Sequence, residues 1–187
     1  MDSIYNYIQT HSTQSRKEHI DGVIATADIL AKRYGADRQK TKLAALCHDL
    51  YRGIKDDALN IYVKQLGLPK KYLNNGNLAH SKIAAEMIKK DFGIEDEDVL
   101  NAVRYHTTGR AGMSILEKVI FLADSIEPGR SYPGVEEIRD AAKIDLDQAC
   151  LMCLERTIDY INKKGYFLDP DTLDARDWFR KKEIIHG

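Results

Sequence analysis

Residues 43–54, LAALCHDLYRGI, decide how this chain is read. Asp37 is a natural N-cap for a helix that runs into this stretch. The apolar run Leu43 to Cys47 ends on His48, and Asp49 follows at once. Two ionisable groups thus stand where the helix enters a core. Adjacent side chains diverge by about 100° on an ideal helix. Both can reach one ion only if it lies between their directions, near the helix end.

The flanking segments repeat at the helical period, and none alternates with period two over a useful length. From Arg16 to Tyr34, apolar residues fall at Ile20, Val23, Ile24, Ala27, Leu30 and Ala31. They form one stripe of an amphipathic helix, closed by Gly35. Further helices are predicted over Asp56–Leu66, Leu78–Phe92, Asp96–Tyr105, Ser114–Ile126, Val135–Ala142 and Asp145–Lys164. Gly67, Gly93, Pro128-Gly129 and Gly165 punctuate them. Asp169-Pro170 opens a last helix, with Asp as cap and Pro in the first turn. The expected fold is all-α, a single helical bundle of roughly ten helices over residues 16–187. Residues 1–15 are expected to form a short N-terminal helical appendage.

Composition supports an ordinary globular chain. It has 187 residues, 43% hydrophobic and 30% charged, close to one domain's worth. Lys and Arg total 28 against 29 Asp and Glu, a net charge of −1. That balance argues against coating nucleic acid or an anionic membrane. No stretch approaches the ~20 apolar residues of a membrane span, and the first residues do not read as a secretory signal. Three cysteines, Cys47, Cys150 and Cys153, fit a reducing cytoplasm. Cys150 and Cys153 lie in the helical run LDQACLMCLERTIDYI and read as helix packing rather than redox or zinc chemistry.

Of the six histidines, His11 and His186 lie in polar surroundings near the termini and are set aside. His19 sits at the edge of its helix's apolar stripe. His80 precedes Ile83, Ala84, Met87 and Ile88 at helical spacing, and His106 follows Val103 and Ala102 likewise. Asp124 falls where Leu116 and Ile120 predict a hydrophobe. Taken singly, each is most simply a satisfied core residue. Jointly, five helices each turn an ionisable group inward, and unpaired buried charge is expensive. A metal or anionic ligand at the centre of the bundle satisfies all of them. His19, His48, Asp49 and Asp124 supply two nitrogens and two oxygens, which suit iron or manganese better than a structural zinc.

The pattern His19 … His48-Asp49 … Asp124 resembles the HD-domain metal phosphohydrolase superfamily. The segments RKEHIDGV, LAALCHDLYRGI, LAHSKIAAEM, VRYHTTGRAGMSILEKVIFLADSIEPGR, YPGVEEIR and LDPDTLDARDWF narrow the resemblance. They are similar to the YqeK-type family of bacterial symmetrical bis(5′-nucleosyl)-tetraphosphatases, over roughly Arg16 to Phe179. YHTTGR together with EPGR is the most specific part. Cys47, where small or apolar residues are usual, is a departure, and no ligand position departs.

The resemblance implies an HD domain over residues 16–187 with one transition-metal ion per chain. The ion would be divalent or trivalent, iron first, with manganese, cobalt or nickel as alternatives. Its ligands would be His19, His48, Asp49 and Asp124. The implied substrate is diadenosine tetraphosphate or a related dinucleoside tetraphosphate, and the product ADP or GDP. His80, His106 and Asp49 are the implied catalytic residues. Substrate contacts are implied for His19, Asp49, His80, His106, Thr107, Asp124, Arg130 and the stretch Leu168, Asp169, Pro170, Asp171 and Thr172. The guanidinium of Arg130 suits phosphate oxygens on physical grounds alone, and the Asp169-Pro170-Asp171-Thr172 turn presents free helix N–H groups. Lys17 and Arg110 are candidates for charge near the mouth. Tyr166 is a candidate to stack on a base, and Trp178 is expected in the core. A cytoplasmic homodimer is expected. The competing readings are an HD phosphohydrolase for another nucleotide, a metal-containing ADP or GDP sensor without turnover, and a purely structural bundle.

Overall fold

The computed structural model describes the backbone of residues 1–186 and the side chains of residues 1–182, which leaves the His186 side chain outside the described residues. The described residues form ten α-helices and no strand: α1 (Asp2–His11), α2 (Gln14–Tyr34), α3 (Arg38–Cys47), α4 (Asp56–Gln65), α5 (Gly76–Phe92), α6 (Glu97–Tyr105), α7 (Ile115–Ile126), α8 (Val135–Ala141), α9 (Leu146–Lys164) and α10 (Pro170–His186). A 3-10 turn over Lys70–Tyr72 separates α4 from α5.

Local chemistry sets most of these boundaries. Asp37, Asp96 and Asp145 each accept two backbone N–H groups at the starts of α3, α6 and α9. Thr13 and Ser114 each accept one at the starts of α2 and α7. Such caps are each worth about 1 kcal/mol. Gly35, Gly93 and Gly165 end α2, α5 and α9 in the left-handed conformation that favours glycine. The structure departs from expectation at α3, which stops at Cys47. Tight-turn bonds from Leu50 N–H to Cys47 O and from Arg52 N–H to Asp49 O replace the helical ladder there. The α5 helix starts at Gly76, two residues before the expected Leu78, and the 3-10 turn at Lys70–Tyr72 carries no periodicity that reveals it.

The core runs along α7, whose residues Leu116 to Ala123 are all buried. A helix apolar on nearly every face belongs at the centre of a bundle, and α7 packs on α2, α3, α6 and α9. Its two buried charges are paired. Glu117 accepts Arg110 Nε and Nη2 at 2.7 and 2.6 Å, and Lys118 Nζ reaches Asp147 Oδ1 at 2.6 Å. Packing of α2, α3 and α7 brings His19, the end of α3 and Asp124 to one place, and packing of α5 on α6 brings His80 and His106 there. In α1, Ile4 and Ile8 are buried in the same hydrophobic cluster as the bundle. All three cysteines are buried and unbonded, as helix packing predicts. Trp178 packs against the core and meets Phe179 edge-on, also as expected. No described helix is long and apolar enough to cross a membrane.

Candidate metal centre

Four imidazoles surround Asp49. His19 Nε2 and His48 Nε2 each lie 3.6 Å from Asp49 Oδ2. On the other side, Asp49 Oδ1 is 3.2 Å from His80 Nε2 and 3.7 Å from His106 Nε2. Asp124 Oδ1 closes the first side at 3.1 Å from His19 Nε2. The ring nitrogens also face one another, His19 to His48 at 3.3 Å and His80 to His106 at 3.1 Å.

Main-chain and carboxylate acceptors decide which nitrogen is free. A carbonyl only accepts, so His48 Nδ1–H donates to Ala45 O at 2.7 Å, and His106 Nδ1–H to Val103 O at 2.8 Å. His80 Nδ1–H donates to Gly76 O at 3.0 Å, and His19 Nδ1–H to Glu127 Oε1 at 3.1 Å. Each ring therefore turns Nε2 to the centre, the arrangement of ligating histidines. Burial acts to lower His19, but Asp124 and Glu127 at its two nitrogens outweigh it and raise it. Burial lowers His48 to about 4, and burial lowers His80 as well, so both are neutral at neutral pH. Burial works against the charge of Asp49 and Asp124, but the pull of the surrounding imidazoles when they carry a proton, and of Arg130 on Asp124, outweighs it and holds both acids below the usual carboxylate range.

This donor set fits a cation. His19, His48 and Asp124 offer donor atoms within 4.8 Å of one another, and so do His48, Asp49 and His106. Asp49 Oδ1 is buried without a hydrogen-bond partner. Neutral imidazoles and ionised carboxylates are ligands for a divalent first-row ion.

Positive side chains border the cluster. Arg16, three residues before His19 on α2, pairs with Asp49 Oδ2. Arg130 Nη2 lies 2.5 Å from Asp124 Oδ1, and its Nε donates to Asp124 O at 2.8 Å. Arg139 on α8 clamps the loop between α7 and α8, donating to the carbonyls of Ile126, Glu127 and Arg130. Arg52 lies against His80, 3.2 Å from both ring nitrogens. A cavity of about 510 Å³ opens between this loop and the start of α2.

Of the residues singled out from sequence, His19, His48, Asp49, His80, His106 and Asp124 meet directly, with Arg130 on Asp124 and Thr107 Oγ1 3.3 Å from His80 Nε2. Leu168 to Thr172 carry no hydrogen bond or ion pair to that cluster among the described residues. Instead Asp169 is buried against Lys71 Nζ at 2.8 Å, and Asp171 meets Lys82 Nζ at 3.2 Å. Arg110 is turned onto Glu117, Lys17 Nζ caps Gln9 O at 3.0 Å, and Tyr166 is exposed. Sequence reasoning passed over Glu127 and Arg16. Glu127 sat in view within EPGR, and Arg16 shares a helix face with His19.

Comparison with known proteins agrees with this geometry. Residues 16–129, more than half of the chain, match the family model described as HD domain. The chain belongs to the HD-domain family. HD domains bind a divalent metal ion, and the histidine–aspartate cluster is where this one can hold it. The chain is 45% identical to "Bis(5'-nucleosyl)-tetraphosphatase, symmetrical" of Halalkalibacterium halodurans over 89% of each chain. It is 38% identical to the protein of that name from Bacillus subtilis, over 91% of this chain and 92% of the other. The crystal structure of a predicted HD superfamily hydrolase involved in NAD metabolism from Clostridium acetobutylicum superposes with a TM-score of 0.92. That match covers 97% of both chains at 39% identity.

Proposed function

We propose that this HD-domain protein is a hydrolase that splits dinucleoside tetraphosphates symmetrically, diadenosine tetraphosphate into two ADP. The observation that carries the reading is the set of imidazoles and carboxylates around Asp49, bordered by Arg16 and Arg130. The relatives named as symmetrical tetraphosphatases, aligned over about nine-tenths of the chain, support the choice of substrate.

His19, His48, Asp49 and Asp124 would hold one divalent or trivalent ion per chain, with iron first and manganese, cobalt or nickel as alternatives. When bound, such an ion supplies positive charge beside a phosphate oxygen and a water acidified toward pH 7. Arg130 offers its planar fork to the phosphate oxygens and offsets charge that develops as the central anhydride opens. Water adds to one central phosphorus, the bond to the bridging oxygen breaks, and each product carries two phosphates. His80 and His106 both turn Nε2 to this point, and burial lowers His80. Nε2 of one of them takes up a proton and returns it to the leaving oxygen. Thr107 lies on the same side, and Leu168 to Thr172 are the segment we assign to the nucleoside end. Residues 16–187 form the catalytic domain and residues 1–15 its appendage, in a cytoplasmic homodimer.

The second donor group, His48, Asp49 and His106, favours another version of the same centre, in which Asp49 and His106 would help to hold a second ion.

Incubation of iron-loaded protein with diadenosine tetraphosphate, followed by chromatography of the nucleotides, tests the reading. ADP is expected as the only product and is lost in Asp49→Ala. ATP with AMP would make the cleavage asymmetric, and tight ADP binding without turnover would make the protein a sensor.

A further inference from the structure

We infer that Arg16 and the cavity beside it bind the second diphosphate of the substrate, opposite the half held by Arg130. The inference rests on the activity proposed above. Central cleavage leaves two phosphates on each side of the broken bond, so two diphosphates must be gripped at once. One guanidinium, Arg130, serves one side.

The cavity of about 510 Å³ lies within the usual range of small-molecule sites. His19 opens onto it from the metal centre, with Arg16 on the α2 wall and Arg130 on the loop wall. Arg16 and Arg130 are its cationic linings, and Lys17 is turned away to Gln9 O. Glu127 and Glu18 also line it. Glu127 is engaged by His19 Nδ1 and Gly129 N–H, and Glu18 by the Gln14 amide.

Arg16 has Asp49 as its carboxylate partner, and Arg130 has Asp124 with Glu127 beyond. Asp49 and Asp124 are both proposed ion ligands. An ion taken up between them draws on the carboxylates that each guanidinium now neutralises. The Arg16 guanidinium, about a third exposed at the cavity wall, is then available to a phosphate. Its fork matches paired phosphate oxygens as Arg130 does from across the cavity.

The test uses metal-loaded wild type, Arg16→Ala and Arg16→Lys. Steady-state kinetics is run with diadenosine tetraphosphate, and calorimetry with its analogue carrying a central methylene bridge. Metal content is measured in each preparation, and ADP is titrated as inhibitor. Arg16→Ala is expected to keep its metal, raise KM and weaken analogue binding about tenfold or more. ADP inhibition, read at the Arg130 side, should change less than about twofold. Arg16→Lys should recover part of the loss. Unchanged KM and analogue affinity in Arg16→Ala would overturn the inference. So would metal loss that accounts for the defect, or an equal weakening of ADP. Failure of wild type to form ADP would instead overturn the activity itself.

Discussion

Glu127 holds His19 by its far nitrogen. Oε1 lies 3.1 Å from His19 Nδ1, while Nε2 of the same ring faces Asp124 Oδ1 at 3.1 Å. A carboxylate on the far nitrogen fixes the ring and raises the basicity of the ligating one. Glu127 Oε2 is anchored in turn by Gly129 N–H at 2.5 Å. The seat is close-fitting, because a Cβ on Gly22 would stand 2.6 Å from Glu127 Oε2. Glu127→Ala is expected to weaken metal binding about 10–100-fold, measured by competition with a chelator. Gly22→Ala should act in the same direction by displacing the carboxylate.

Metal should stabilise the fold as well as serve the reaction. An ion that binds only the native chain adds about 2.7 kcal/mol when its free concentration is 100 times its Kd. Chelator treatment is expected to lower Tm, and added ion to restore it. In His48→Ala, which removes a fully buried ligand, Tm should no longer respond to chelator or ion. Differential scanning calorimetry checks both.

His106 separates the one-ion and two-ion versions of the centre. With one ion, His106→Ala keeps its metal and loses turnover by about 10²–10⁴, the range of a missing acid–base group. With two, the count in wild type falls from two ions to one in the variant. Metal analysis of the two proteins beside their kcat values gives the answer.

Asp147 ties three helices, meeting Lys118 of α7 and Lys182 of α10 from the first turn of α9. Burial acts to raise its carboxyl, but the two lysines outweigh it and lower it from the ordinary value. A carboxyl lowered on folding contributes stability fully above its unfolded value of ~3.9, and loses it as pH falls through the folded value. Asp147→Asn should therefore cost about 1–3 kcal/mol at pH 7, with a smaller deficit below about pH 3. Urea unfolding at the two pH values measures it.

What could be read from the sequence was local. The starts of α3, α6, α7 and α9 follow from Asp37, Asp96, Ser114 and Asp145, because a cap acts on N–H groups two or three residues away. The inward setting of His48, His80, His106 and Asp124 follows from their place in apolar stripes at helical spacing. Partnership across the bundle was decided by tertiary structure. Glu127 meets His19 across 108 residues of chain because the loop after α7 folds back over α2. Arg16 meets Asp49 because α2 packs on α3. Asp169 and Asp171 turn to Lys71 and Lys82 because the start of α10 lies beside α5 and the 3-10 turn. A side chain's helical face is set by neighbours within about four residues, whereas the group opposite it is set by helix packing and loop path, which no local pattern encodes.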